Sequence, residues 1–376
     1  SCRLTITWMA FLSRNFGVKG ETMTIELRSC NLAEMEQVVA ELGQPAFRAK
    51  QLFEWVHKKG VSQFEQMSNL GKSFRQDLAE RSLLDNVHLV RKQVSRDGTE
   101  KFLLALADGE YIECVLMRYR GDQSKQRNTL CVSSQVGCAM GCTFCATGLG
   151  GLVRNLTAGE ILGQIYLVNE ELAKEGDPLS IGNVVFMGMG EPLLNLEAVL
   201  KAIELLNDEK GQHISIRRIT VSTCGIAPKI IELAKRQKDI VLAISLHAPN
   251  DALRSEMMPI DRTYDLGQLM EACRTYERLT HKRLSFEYAL IKGVNDQPEH
   301  VKQLAELLKG LDCHLNIIPV NPVIENTGYV KPDHKHIQSF VAQLGRAGLN
   351  ASIREEKGAD IDGACGQLRG KEIERS

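Results

Sequence analysis

The stretch LCVSSQVGCAMGCTFCATG, residues 130–148, contains Cys138, Cys142 and Cys145 at CxxxCxxC spacing, directly after a predicted strand. Three thiolates can ligate three irons of a four-iron cluster and leave the fourth iron open, whereas an electron-transfer cluster takes four cysteines. A zinc site is the first alternative, but zinc favours CxxC pairs and four ligands. The second alternative is that the three cysteines are unrelated buried side chains that form no site. The spacing therefore predicts a [4Fe-4S] cluster with one open iron.

Downstream of residue 128, short β-type runs alternate with longer helical runs. The predicted strands are 129–133, 183–187, 218–222, 241–246, 284–290 and 314–320. The predicted helices are 157–173, 196–207, 227–238, 266–279, 299–309 and 333–345. Six β-then-α units in a row predict an α/β fold whose parallel sheet is half-closed like a TIM barrel, a partial (βα)6 barrel. Functional groups in such a barrel lie at the carboxyl ends of the strands.

Four segments are predicted along the chain. Residues 1–22 form an N-terminal extension that is non-native or disordered, because periodic sequence begins only after Met23. Residues 23–86 form a small helical module, with helices at 31–42, 47–58 and 73–82. Residues 87–127 form a three-stranded β meander, with strands at 87–95, 101–107 and 111–117 joined by Asp-Gly turns. Residues 128–376 contain the barrel and a C-terminal loop.

Composition excludes a strongly basic nucleic-acid-binding protein, because the formal net charge is -1 and the pI is about 6.8. Any RNA site must therefore be a local patch. Eleven cysteines are an odd number and too few for a disulfide scaffold. They predict reduced thiols and a cytoplasmic location. The apolar segment 4–12 is too short to span a bilayer, so no membrane association is predicted.

The cysteine spacing resembles the signature of the radical S-adenosylmethionine (SAM) superfamily. This resemblance implies that SAM chelates the open iron and that one electron cleaves it to methionine and a 5'-deoxyadenosyl radical. GMGEP at 188–192 is similar to the superfamily's glycine-rich segment, which implies that Gly190 lets SAM approach and that Glu191 accepts from its amino group. Strand-end groups could hold the SAM ribose and carboxylate, or be ordinary packed residues: Ser222, Ser245, Leu246 and His247.

Six motifs in order carry a closer resemblance, to the RlmN/Cfr family of radical SAM RNA methylases, over about residues 24–371. They are LCVSSQVGCAMGCTFCATG (130–148), VVFMGMGEPLLN (184–195), RRITVSTCGIAP (217–228), AISLHAPND (243–251), MPI (258–260) and ADIDGACGQL (359–368). EPLLN and RRITVSTCG look more like RlmN than Cfr. The resemblance implies a radical SAM barrel that methylates carbon 2 of adenosine in 23S rRNA and in tRNA, and that uses two SAM molecules per turnover.

Further residue roles are implied by the same resemblance. One SAM methylates Cys365, a second supplies the radical that removes hydrogen from the S-methyl group, and the resulting carbon radical adds to the base. Cys131 then attacks the sulfur of Cys365, forming a disulfide and releasing the methylated base. Glu113 matches the family's base for the carbon 2 proton, although Cys114 departs from the more usual threonine. Asn321 matches a further SAM contact.

Three other functions stay open at this point. They are Cfr-type methylation at carbon 8, a radical SAM activase or maturase acting on protein or small molecules, and a non-catalytic iron–sulfur scaffold. The implied partners are ribosomal RNA, tRNA and an electron donor such as flavodoxin, for a monomeric enzyme. Basic side chains could contact phosphates: Arg48, Lys50, Lys58, Lys59, Arg118, Arg120, Lys125 and Arg127.

Overall fold

The structure is a computed structural model that describes residues 16–19, 22–121, 126–237, 239–321, 323 and 328–370. Its N-terminal part contains strands β1 (Phe16–Lys19) and β2 (Thr22–Glu26), helices α1 (Leu32–Glu41), α2 (Phe47–Phe53) and α3 (Lys72–Arg81), and strand β3 (Ser82–Leu83). The three predicted helices are confirmed. Part of the extension predicted at 1–22 is a strand, because β1 pairs antiparallel with β2. Residues 1–15 and 20–21 lie outside the described ranges.

The predicted meander consists of β4 (Val87–Val94), β5 (Glu100–Leu106) and β6 (Tyr111–Tyr119), which pair antiparallel in that order. Glycines make both turns, since Gly98 and Gly109 have φ of 80° and 89°. β6 then pairs antiparallel with β7 (Arg127–Cys131). The meander predicted over 87–127 is therefore hydrogen-bonded directly to the barrel sheet.

The remaining elements follow in chain order. They are β8 (Gln135–Gly137), α4 (Ala146–Leu149), β9 (Leu152–Asn155), α5 (Ala158–Lys174), β10 (Ile181–Phe186), α6 (Leu196–Asn207), β11 (Ile219–Thr223), α7 (Ala227–Arg236), β12 (Val241–Ser245), α8 (Asp251–Met257), α9 (Leu266–Thr280), β13 (Leu284–Leu290), α10 (Pro298–Leu307), β14 (Cys313–Pro319), α11 (His334–Arg346) and β15 (Ala351–Ile353).

One ten-stranded sheet has the order β15-β14-β13-β12-β11-β10-β7-β6-β5-β4. In this sheet, the six pairings that run from β7 through β10 to β15 are all parallel. The six predicted barrel strands and six helices are confirmed, with ends that agree within two residues. The described strands leave the sheet open between β15 and β4, so the barrel is partial as predicted. The short elements β15 and α8 and the β8–β9 hairpin are additions to the prediction.

Within the described ranges, no helix combines the length and the apolar character that crossing a membrane requires.

The helical module packs on the barrel helix α5 through buried polar contacts. His57 Nε2 lies 2.9 Å from the Cys30 carbonyl and must donate to it, so Nδ1 accepts from the Tyr166 hydroxyl at 2.8 Å. Burial lowers the pKa of His57 to about 4, because the imidazolium would be poorly hydrated there.

This histidine should make stability depend on pH. An unfolded chain protonates His57 below pH 6.5, whereas the folded chain keeps it neutral down to about pH 4. The folded state is therefore expected to lose stability as the pH is lowered across this window, by about 1.4 kcal/mol between pH 7.5 and pH 5.5. Urea unfolding of His57→Gln should lose that share of the pH dependence, while His334→Gln, at an exposed position, should retain it. Equal pH dependence in His57→Gln and the wild type would contradict this role.

Candidate active site

Two adjoining cavities open at the carboxyl ends of the barrel strands. The first has an empty volume of about 940 Å³ and is lined by Cys138, Cys142 and Cys145 together with strand-end residues. The second has an empty volume of about 760 Å³ and is lined by Cys131 and by meander residues such as Met117. Eight residues line both cavities: Cys145, Met187, Gly188, Ile318, Asn321, Arg354, Cys365 and Gly366.

The loop between β8 and α4 brings the three predicted ligand cysteines to one wall. Cys138 N donates to Gly151 O at 2.8 Å, and Thr143 N donates to Met257 O at 3.0 Å, which fastens the loop to the barrel. Gly137 has φ of +72°, and a Cβ there would lie 2.0 Å from Gly151 O. Only glycine therefore fits where the chain enters this loop.

The donor chemistry of these three cysteines fits an iron–sulfur cluster. No group of three or more His, Cys, Asp or Glu side chains in the described residues could hold one metal ion. A cluster needs no such convergence, because each thiolate ligates a different iron. Burial raises the pKa of Cys138 to about 12 and also raises that of Cys142. Thiolates on this wall therefore need a cationic partner, which the iron of a bound cluster would supply.

The glycine-rich segment after β10 is shaped by close packing on β8. Gly190 has φ of +100°, and a Cβ there would lie 2.5 Å from Gln135 Cβ. The buried Glu191 carboxylate accepts from Leu193 N at 3.0 Å and from Cys224 N at 2.7 Å. Glu191 therefore fixes the ends of β10 and β11, while each oxygen keeps capacity for a further donor. Both residues line the first cavity, and their role as SAM contacts stays a prediction.

Three of the four predicted strand-end groups also line the first cavity. The hydroxyls of Ser222 and Ser245 lie 3.5 Å apart. His247 Nδ1 accepts from Ala289 N at 2.9 Å, so Nε2 carries the proton. Burial lowers the pKa of His247 to about 3, which keeps the ring neutral. Leu246 differs: its side chain is fully buried in the core and its N–H donates to Glu287 O.

Asn321 supplies an unsatisfied polar atom to the cavities. Its Nδ2 donates to Cys365 O at 3.3 Å, whereas its buried Oδ1 accepts from no described residue. An unsatisfied buried acceptor costs about 1–3 kcal/mol. Because Asn321 lines both cavities, a donor group of a bound ligand would remove that cost.

Cys365 lines both cavities, in the wall that they share, and Cys131 lines only the second. Both are free thiols. Cys131 is buried at the end of β7, and burial, with the nearby Cys365 sulfur, raises its pKa to about 12. Cys365 is exposed, so its side chain can be approached from either cavity.

Glu113 is not among the residues that line either cavity. Its buried carboxylate instead lies 3.1 Å from Lys101 Nζ and accepts from Arg369 N at 2.6 Å and Gly370 N at 3.1 Å. In this structure the residue predicted as a base holds the backbone that follows Cys365.

Comparisons with known proteins agree with this geometry. The radical SAM superfamily model matches residues 132–308, and the model for the ribosomal RNA large subunit methyltransferase N-terminal domain matches residues 25–84. Probable dual-specificity RNA methyltransferase RlmN of Desulfitobacterium hafniense (strain DSM 10664 / DCB-2) is 50% identical over 92% of this chain and 96% of its own. The Bacillus subtilis (strain 168) protein of that name is 49% identical over 92% and 93%.

A solved structure of a radical SAM methyltransferase from Sphaerobacter thermophilus matches with a TM-score of 0.87 and 44% identity, over 92% of this chain and 99% of that one. The chain belongs to the RlmN family of radical SAM RNA methyltransferases. The RlmN resemblance and the radical SAM barrel predicted from the sequence are thereby confirmed. So are the two cofactors, a [4Fe-4S] cluster and SAM.

Sequence reasoning missed two arginines of this RlmN-family site. Arg354 lines both cavities and pairs with the buried Glu287 at 3.3 Å, and its pKa is raised chiefly by the nearby Cys365 sulfur. Arg254 is fully buried behind the first cavity and pairs with Asp261 at 2.8 Å. No spacing in the sequence marks either residue, because their partners are set by the fold.

Several of the basic side chains predicted to contact phosphates make ion pairs or aromatic contacts within the fold. Arg118 forms ion pairs with Glu100, Glu175 and Asp177, and Arg120 also pairs with Asp177. These contacts join the meander to the segment after α5. Lys125 lies outside the described residues. The guanidinium of Arg127 lies 4.0 Å above the Tyr119 ring, and Lys59 lies 3.4 Å above the Trp55 ring.

Arg254 should be a main support of the site. It donates to Cys224 O at 2.6 Å and to Leu246 O at 3.2 Å, and so ties the ends of β11 and β12 to α8. Arg254→Met leaves the Asp261 carboxylate buried without its partner, so we expect a loss of about 3–5 kcal/mol in urea unfolding.

The matched control is Arg274→Met, at an exposed position on α9, which should change stability by less than about 0.5 kcal/mol. The double variant Arg254→Met with Asp261→Leu should recover part of the loss, because it removes both buried charges. A wild-type unfolding midpoint in Arg254→Met would contradict the assignment.

Proposed function

We propose that this RNA methyltransferase methylates carbon 2 of adenosine in 23S rRNA and in tRNA, with Cys365 as a covalent methyl carrier. The observation that carries the proposal is the place of Cys365, in the wall shared by a cavity with three cysteines and a cavity with Cys131. A carrier must meet a methyl donor on one side and an acceptor base on the other. The names of the relatives, which specify dual-specificity RNA methyltransferases, support the RNA substrates.

Cys138, Cys142 and Cys145 would hold the cluster. The SAM contacts would come from residues that line the first cavity: Gly190, Glu191, Ser222, Ser245, His247 and Asn321. The cluster and SAM, when bound, supply a methyl group and a 5'-deoxyadenosyl radical. Leu246 would contribute only by shaping the end of β12, since its side chain lies in the core.

Cys365 makes the reaction feasible, because carbon 2 of adenine is electron-poor and does not attack a methylsulfonium. The Cys365 sulfur takes a methyl group and releases its proton. That S-methyl group then loses one hydrogen atom, and the carbon that remains bonds to carbon 2 of the base. The adduct would give up one electron, for which the bound cluster is the acceptor at hand, and its carbon 2 proton to a base. Two SAM molecules are consumed per turnover, one for the methyl group and one for hydrogen removal.

Cys131 completes the turnover. Its thiolate attacks the Cys365 sulfur, the bond between that sulfur and the methylene carbon breaks, and the electron pair stays with the carbon, which takes a proton. The products are methylated adenine and a Cys131–Cys365 disulfide, which a reductant must reopen. Arg354 favours the thiolate of Cys131, opposing the effect of burial on its pKa. Glu113, as the base for the carbon 2 proton, would first have to leave Arg369 and Gly370.

The second cavity is the proposed entry for the target adenosine, which must leave its stack to reach Cys365. The proposal also includes a monomeric enzyme in the cytoplasm and a flavodoxin-type electron donor. Free thiols in the described residues are consistent with a reducing compartment.

Cluster binding tests the first cavity. Anaerobic reconstitution of the wild type should give about four irons per chain. Changing Cys138, Cys142 and Cys145 together to alanine should abolish iron binding and the visible absorption of the cluster. Cys273→Ala, a buried cysteine on α9, is the control and should bind iron normally. A full cluster in the triple variant would contradict the assignment of these three cysteines as cluster ligands.

The order of the cysteine steps gives the sharpest test. Cys365→Ala should bind the cluster, yet make no methyladenosine. Cys131→Ala should stall later, because the bond between Cys365 and the base is not resolved, and it should be purified with RNA attached through a methylene bridge. Gel mobility before and after nuclease treatment, with mass spectrometry of the Cys365 peptide, measures this. Normal turnover by Cys131→Ala without attached RNA would refute the carrier mechanism.

The methylated nucleoside itself identifies the position. Mass spectrometry of ribosomal RNA and tRNA from cells with and without the gene should find 2-methyladenosine only where the gene is present. Appearance of 8-methyladenosine instead would establish the Cfr-type alternative.

A further inference from the structure

The C-terminal segment that carries Cys365, residues 354–370, is fastened to the barrel on its cluster side. Ala146 N donates to Gly366 O at 2.7 Å, and the Thr147 hydroxyl donates to Leu368 O at 2.6 Å. Both residues belong to α4, the helix that directly follows Cys145. The backbone next to Cys365 is therefore registered against the cluster loop.

The same segment is fastened to the meander on its other side. Two hydrogen bonds join the segment to the turn between β4 and β5. Asp97 of the turn accepts from Gly358 N at 3.1 Å, and Asp360 of the segment accepts from Arg96 N at 3.2 Å. Gly358 has φ of +67°, and a Cβ there would lie 2.9 Å from Thr99 Cγ2. The chain therefore lies directly against this turn.

A buried ion pair on the meander brackets Cys365 itself. Lys101 Nζ donates to Asp362 O at 3.3 Å, three residues before Cys365. Its partner Glu113 accepts from Arg369 N and Gly370 N, at 2.6 Å and 3.1 Å, four and five residues after it. The pair is joined at 3.1 Å, and the two side chains are only 9% and 5% exposed. This ion pair of the meander thus holds the backbone on both sides of Cys365, the proposed methyl carrier.

We propose that Glu113, paired with Lys101, is a positioning residue that holds Cys365 in the wall between the cavities. This inference rests on the carrier role proposed for Cys365. It makes Glu113 necessary for S-methylation of Cys365, a step that precedes any contact with RNA. A role in removing the carbon 2 proton, by contrast, concerns only a later step on the bound base.

The test is RNA-free methylation of Cys365 in the reconstituted holoenzyme, followed by mass spectrometry of its peptide. Glu113→Ala removes the acceptor of two backbone N–H groups and should slow S-methylation at least tenfold, with about four irons per chain retained. Glu113→Gln combined with Lys101→Met keeps an acceptor oxygen and leaves no unpaired charge, so it should stay within threefold of the wild type. Glu110→Ala, on the same hairpin, is the matched control and should methylate Cys365 normally.

Wild-type S-methylation rates in Glu113→Ala would overturn the positioning role. So would equal losses in Glu113→Ala and the double variant, since the acceptor oxygen would then be irrelevant. An accumulation of RNA-bound enzyme in Glu113→Ala, with normal S-methylation, would assign Glu113 to the base role alone.

Limited trypsin digestion tests the attachment without any methyl transfer. Cleavage after Lys357 and Arg369 should be at least fivefold faster in Glu113→Ala than in the wild type and close to wild type in the double variant. Unchanged protection in Glu113→Ala would overturn the proposal. If the wild type itself never methylates Cys365 but Glu113→Ala loses protection, the carrier mechanism fails while the attachment stands.

Discussion

The structure depends on strand β7, which has a parallel neighbour on one edge and an antiparallel neighbour on the other. β7 pairs parallel with β10 and antiparallel with β6, so the barrel and the meander share one sheet. This pairing sets Cys131, at the carboxyl end of β7, opposite Val115 of β6. It also sets Glu113 beside the chain that leaves β7, where the Ser133 hydroxyl donates to Glu113 O at 2.6 Å. The positions of Cys131 and of the Glu113 contacts to the C-terminal segment therefore follow from one register.

The rest of the site depends on how the buried ends of the strands satisfy their backbone hydrogen-bonding groups. Backbone groups at strand ends need partners once water is excluded, and here charged side chains supply them. Glu191 accepts from the N–H groups of Leu193 and Cys224, while Arg254 donates to the carbonyls of Cys224 and Leu246. These buried charges hold β10, β11 and β12 in register around the first cavity. They give the site rigidity that a loop alone would lack.

The sequence predicted the elements whose pattern is local. Strands and helices such as 284–290 and 196–207 could be predicted because their apolar residues repeat over a full element. The three cysteines stood out because their spacing is itself the signal, and their role as cluster ligands stays a prediction. β15 has only three residues, too few for a period, and the β8–β9 hairpin is broken by the cysteine loop. Arg118 looked like a phosphate contact because its partners Glu175 and Asp177 are more than fifty residues away. Long-range pairing of this kind leaves no local mark.

The attachment of the C-terminal segment follows from what a carrier residue requires. In the proposed role Cys365 would be presented to two cavities, which requires an exposed side chain on a fixed backbone, and its side chain is exposed. The described contacts achieve both by engaging the flanks: α4 at Gly366 and Leu368, and the meander at Asp362 and Arg369. Side-chain packing around the sulfur would close one cavity, and a free segment would spend little time between them. Fastening the neighbours of Cys365 meets both demands of the proposed role, and the meander supplies part of that fastening.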